Sequence, residues 1–111
     1  MKKIDAVIIL TSFPDGIDLS GFWRELLQER LVACVTTLGK SESIYRWEEK
    51  IEEAKEQSVL IKTTRDKIES IDARIKQFHP YEVPELIVVP VIDGNVDYLN
   101  WVANSTGLNN Q

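Results

Sequence analysis

Leu31-Val32-Ala33-Cys34-Val35-Thr36-Thr37-Leu38-Gly39-Lys40-Ser41-Glu42-Ser43-Ile44-Tyr45-Arg46-Trp47 reads as one long strand. Its two ends are rich in β-branched and aromatic residues, which suit a pleated surface. Gly39 interrupts the run and marks a kink or bulge. Glu48-Glu49-Lys50 is a polar turn, and Ser58 to Thr63 is again strand-like. The segment between them, Ile51 to Lys55, is charged and suits either helix or strand. Joined to Ser58–Thr63 it makes the return limb of an extended hairpin arm.

Working outward on the N-terminal side, Ile4 to Leu10 is a short Val/Ile-rich run that ends at Phe13-Pro14-Asp15-Gly16. It reads as a buried strand. Leu19, Phe22, Trp23, Leu26 and Leu27 then recur at helical spacing, with Asp18 near the start. On the C-terminal side, Asp66 to Phe78 places Ile68, Ile71, Ile75 and Phe78 on one helical face, and His79-Pro80 stops it. Val83 to Ile92 is the last strand, demoted to an edge or a bulge at Pro90. After Asp93-Gly94, Val96 to Ala103 forms a short helix with Tyr98, Leu99 and Val102 on its stripe. Trp101 sits one residue off that stripe, toward a subunit contact, and Gly107 to Gln111 reads as a polar, frayed tail.

The order β-α-β-β-α-β is the split βαβ, ferredoxin-like arrangement. The fold class is therefore α+β, an antiparallel sheet with helices on one face and a short C-terminal helix, in a single domain spanning 1–111. Val7-Ile8-Ile9-Leu10 and Leu86-Ile87-Val88-Val89 are apolar on both alternations. A strand apolar on both faces needs cover on both, and two helices cover one. Packing of subunits through the open face supplies the rest, and the long strands have edges that also need partners.

The 111 residues carry a formal net charge of −5, which argues against a nucleic-acid partner and permits attraction of cations. A single cysteine, Cys34, excludes an intrachain disulfide. The apolar run behind Met1-Lys2-Lys3 is too short for a signal peptide, and no stretch reaches membrane-spanning length. The expectation is a cytoplasmic protein with no membrane partner.

The chemistry concentrates in His79-Pro80-Tyr81-Glu82-Val83-Pro84-Glu85, which holds the only histidine beside two carboxylates and a tyrosine. Imidazole is a common metal ligand and carboxylates suit hard cations, so His79 and Glu82 are the metal candidates. The plainer alternative is that His-Pro merely ends the helix. Cys34 reads as a core residue first and a soft-metal ligand second. Tyr45 and Trp47 are aromatic anchors for a partner surface or a cap on their own core. Lys62, late in its strand, needs a carboxylate, for which Glu56 is the candidate. There is no phosphate-binding glycine loop, no paired nucleophile and base, and one histidine cannot build a multi-histidine zinc site. Acid–base catalysis at His79 or Glu82 is the weaker alternative.

Several ordered blocks resemble the CutA divalent-cation-tolerance family. They are Arg30-Leu31-Val32-Ala33-Cys34-Val35, Ser43-Ile44-Tyr45-Arg46-Trp47, Lys50-Ile51-Glu52-Glu53, Leu60-Ile61-Lys62-Thr63, the His79–Glu85 segment, and Tyr98-Leu99 followed by Trp101. The resemblance implies a PII-like homotrimer with clefts between protomers. It implies a non-enzymatic binding or regulatory role in the response to divalent metal ions, with copper or another divalent metal, or a small anion, as ligand. Tyr45, Trp47, Glu56, Lys62, His79, Tyr81 and Glu82 are then the inter-subunit cleft candidates. The alternatives are a structural trimer that docks other proteins, or an enzyme using the same cleft. Copper-binding members resemble a pattern with a cysteine at the end of the first strand and two histidines before the proline. This chain has Thr11-Ser12 and Phe78-His79 there. Thr36 stands where asparagine is usual. Glu49 stands where glycine is usual, which implies a turn that does not require positive φ.

Overall fold

The structure, a computed structural model, describes residues 4–107. The expectation of a frayed tail falls on Gly107–Gln111 and so lies, apart from Gly107, outside the described residues. The elements run β1 (Ala6–Pro14), α1 (Ser20–Gln28), β2 (Cys34–Trp47), β3 (Lys50–Thr64), a 3₁₀ turn (Arg65–Lys67), α2 (Ile68–Phe78), β4 (Leu86–Pro90) and α3 (Val96–Thr106). The sheet order is β2-β3-β1-β4 with every neighbouring pair antiparallel, which is the ferredoxin-like topology.

Strand alternation divides the side chains. Val7, Ile9, Thr11 and Phe13 of β1 lie in register with Thr63, Ile61, Val59 and Gln57 of β3. On this face Ile9, Phe13, Val59 and Ile61 are buried beneath Phe22, Trp23 and Leu26 of α1 and Ile71 and Ile75 of α2. Arg74 of α2 ties the two helices together outside the core, donating to Glu29 Oε1 at 2.7 Å and to Glu25.

The other face carries Ile8, Leu10, Ile87 and Val89, joined by Leu60 in the next strand. The third helix packs at one end of this face, where Val102 joins Ala6 and Ala33 with Leu99 alongside. The helices thus do not all share a side. Beyond α3 the face stays open, and Ile87 is 52% exposed.

Gly39 sits at the register shift between Thr37 and Gly39 with φ 92°, so the bulge forms where a residue without Cβ permits it. Past Pro14↔Glu56 the β1 ladder ends and β2 and β3 continue alone. They form an arm that accounts for the long axis of the 50 × 28 × 23 Å chain. The last strand is shorter than the expected 83–92, because Pro84 offers no N–H to a ladder and pairing starts at Leu86. Pro90 is harmless in β4, an edge strand.

Two backbone positions run against residue preference. Arg30 has φ 60° just past α1, where glycine is usual. Leu31 N–H donates to Leu26 O and Arg30 N–H to Leu27 O, the paired bonds of a Schellman end. The Arg30 guanidinium also donates to Ser105 O at 3.3 Å in the last turn of α3, a contact glycine could not make.

The arm's turn overturns the expectation for Glu49. Glu48 has φ 49° and Glu49 φ 67°, because a two-residue hairpin loop must twist with its strands. The turn requires positive φ at both residues and forces glutamate into it. Glu49→Gly is expected to stabilise the protein by about 0.5–1 kcal/mol, read as a higher urea-unfolding midpoint at constant m-value, since glycine meets no Cβ penalty there.

Candidate functional site

Where α2 ends, Pro80 forces His79 into an extended conformation with ψ 137°. This turns the imidazole inward. The ring is buried and stacks on Phe13 at 4.3 Å. Its Nε2 lies 2.7 Å from Ser12 O, and its Nδ1 lies 3.0 Å from the Tyr81 N–H. A carbonyl only accepts and an amide N–H only donates, so Nε2 carries the proton and Nδ1 accepts. Both ring nitrogens are therefore in use.

The same end of β1 anchors the rest of the loop. Thr11 Oγ1 donates to Glu85 O at 2.7 Å, and Ser12 Oγ donates to Glu85 Oε1 at 3.3 Å. These bonds hold the 80–85 loop facing the arm across a cleft of about 590 Å³. The arm contributes Ser43, Tyr45, Trp47 and Glu56; the loop contributes Pro80, Tyr81, Glu82, Val83 and Glu85; Ser12 closes the base.

Glu56 is 6% exposed, and its Oε1 accepts from Ser43 Oγ at 2.7 Å. Burial, then the neighbouring Glu56 carboxylate and Tyr45, pushes the Tyr81 phenol up from its ordinary value of 10.0. A raised folded-state pKa favours the protonated form. Its stabilisation is complete below the unfolded value and is lost as pH rises through the folded one. Thermal unfolding between about pH 9 and 12 should thus show an alkaline loss of stability that is smaller in Tyr81→Phe.

The structure brings Tyr45, Trp47, Glu56, Tyr81 and Glu82, named in the sequence as candidates for a cleft between subunits, together within one chain. His79 stands behind the wall and does not line it. Lys62 is elsewhere, with its ammonium 5.9 Å from the Tyr98 ring centroid. It shares a strand face with Glu56, but six residues of rise separate them by roughly 20 Å, so the expected Glu56–Lys62 pair is not made. Cys34 lies opposite Lys62 at that far end, with Sγ 3.6 Å from Thr36 Oγ1. Trp101 is exposed beside Tyr98. Sequence reasoning missed Ser12, Ser43 and Glu85 as lining residues. Among the described residues no three His, Cys, Asp or Glu side chains are grouped to hold a metal ion.

A family model described as "CutA1 divalent ion tolerance protein" matches residues 7–105. The chain belongs to the CutA1 family. A divalent-cation tolerance protein CutA of Yersinia pestis is 41% identical over 98 residues, covering 88% of this chain and 82% of that protein. The crystal structure of CutA1 from Oryza sativa superposes with a TM-score of 0.87 at 30% identity, covering 95% of this chain and 96% of that one. A structure described as the periplasmic divalent cation tolerance protein CutA of Archaeoglobus fulgidus gives 0.85 at 26% identity, covering 92% and 99%. Against the CutA1 resemblance, the positions that would supply further soft ligands are committed here to structure. Thr11 and Ser12 bind Glu85, and Phe78 stacks on Phe22 at 4.6 Å. No helix among the described residues is long and apolar enough to cross a membrane.

Proposed function

We propose that this CutA1 chain is a non-enzymatic binding and regulatory module in the response to divalent metal ions, with the cleft as its ligand site. One observation carries the reading: among the described residues the cleft lining offers three carboxylates, two phenols and two serine hydroxyls, and no lysine or arginine. Oxygen donors with net negative charge suit a hard divalent cation and oppose a small anion. A soft copper site does not fit these residues. The ring nitrogens of His79 are engaged, Cys34 is remote, and Thr11 and Ser12 replace the strand-end cysteine. Glu82 and Glu85 are the exposed carboxylates that would hold an ion, which keeps several of its waters when only one or two carboxylates reach it. The absence of catalysis is supported by the serines of the cleft, which donate to carboxylates and lack an imidazole base.

Calorimetric titration with Mg²⁺, Mn²⁺, Zn²⁺ and Cu²⁺ tests the site. Saturable binding of the hard ions is expected, weakened at least about tenfold in Glu82→Gln/Glu85→Gln, in keeping with the loss of charged contacts. No saturable binding, or binding unchanged in the double variant, removes the site.

The working form is a homotrimer on this proposal. The support is the open sheet face, where Ile87 and Val89 are exposed beside half-buried Ile8 and Leu10, and the projecting arm. Sedimentation equilibrium should give three times the chain mass of 12.7 kDa; a monomer at micromolar concentration contradicts it. We place its work in the cytoplasm, where a free thiol such as Cys34 stays reduced. Cell fractionation decides, since the Archaeoglobus relative is described as periplasmic.

A further inference from the structure

We infer that the cleft binds an aliphatic polyamine, a flexible chain of methylenes bearing two or more protonated amines. The inference rests on the reading of this cleft as a cation site and narrows the kind of cation.

The arrangement of charge comes first. Glu56, Glu82 and Glu85 all line the cleft, yet among the described residues no three such groups converge on a common point. A point charge reaches one or two of them and leaves the rest unmatched. A cation whose charges are spaced along a chain reaches separated carboxylates one by one, each through a charge-assisted N–H···O bond.

The aromatic lining comes second. Tyr45 and Trp47 on the arm are each 41% exposed, and Tyr81 faces them from the loop. A hydrated metal ion makes no use of these rings. Alkylammonium groups are attracted to the negative face of an aromatic ring, tryptophan most strongly, and methylenes between the amines cover apolar ring surface. Glu56, deep in the cleft with Ser43 on one oxygen, supplies an inner anchor. Glu82 and Glu85 supply outer ones.

Size comes third. The cleft, at about 590 Å³, lies inside the range of roughly 300–1,000 Å³ seen for small organic ligands. That is ample for a triamine and far more than a hydrated ion fills. Among the described residues of one chain, the lining holds no lysine or arginine to compete with an amine.

Spermidine, titrated calorimetrically into the assembled protein at constant ionic strength, tests this, with neutral 1,8-octanediol and MgCl₂ as comparison ligands. The expected result is saturable binding at one spermidine per chain and none of the diol. Affinity should fall at least about tenfold in Trp47→Leu and again in Glu82→Gln, in line with one cation–π or charged contact each. Tyr45→Leu gives a second ring deletion should Trp47→Leu disturb the arm. Saturable metal binding without spermidine binding overturns the polyamine and leaves the proposed function standing. Failure of both ligands removes both. Spermidine binding that survives both ring deletions is charge attraction alone and overturns the inference.

Discussion

Phe13→Ala is expected to destabilise the protein by about 3–5 kcal/mol, a large part of the roughly 5–15 kcal/mol that holds a typical domain together. Phe13 is fully buried at the end of β1. Its ring meets Trp23 edge-on at 5.7 Å, Phe22 at 6.2 Å and His79 in a stack at 4.3 Å. The substitution removes the transfer free energy of a ring and leaves a cavity among rigid aromatic neighbours that cannot close over it. Urea unfolding at one fixed protein concentration should show the loss as a lower midpoint, because the stability of an oligomer depends on concentration. Phe78→Ala is the internal control. Phe78 belongs to the same aromatic group but is 48% exposed, so it should cost far less. Equal losses for the two would contradict the core described above.

His79→Ala is expected to cost about 2–4 kcal/mol, through a buried donor and acceptor stranded at once. Ser12 O loses its donor, the Tyr81 N–H loses its acceptor, and Phe13 loses a stacking partner. The damage should extend into the cleft, since Tyr81 and the loop behind it are positioned by this ring. Hydrogen exchange at the Tyr81 amide should quicken more than at β3 amides such as Ile61. A side chain serving only as a ligand at the surface would show neither effect, so a variant as stable as the parent would restore His79 to the ligand candidates.

The fold was legible where the physical signal is local. Runs of β-branched and aromatic residues announced β2 and the Ser58–Thr63 part of β3, helical spacing of Leu19, Phe22, Trp23 and Leu26 announced α1, and Gly39 announced the bulge. The turn at Glu48-Glu49 was not, because glutamate resists the φ that the strand twist demands, and the demand comes from the hairpin. Half of the cleft could be read. Tyr45 and Trp47 share a face by alternation, and Tyr81 and Glu82 follow a helix stop. Ser12, Ser43 and Glu85 come from three separated segments and meet only through strand register and loop anchoring. Lys62 illustrates the opposite failure, since alternation gives a residue's face and not its position along a strand. The role of His79 depends on Ser12, 67 residues away, which no local pattern reveals.

The central claim is that the cation cleft is built of oxygen donors and that His79 is a strut behind it. The chain holds one histidine, so a long-range ¹H–¹⁵N spectrum of the labelled protein reports His79 alone. Recorded through titrations with Mg²⁺ and Zn²⁺, it should show the Nε2-protonated tautomer from start to saturation, with neither nitrogen shifting toward a metal-bound value. Movement of Nδ1 or Nε2 to a coordinated shift, in step with ion binding, would contradict the claim and make His79 a ligand.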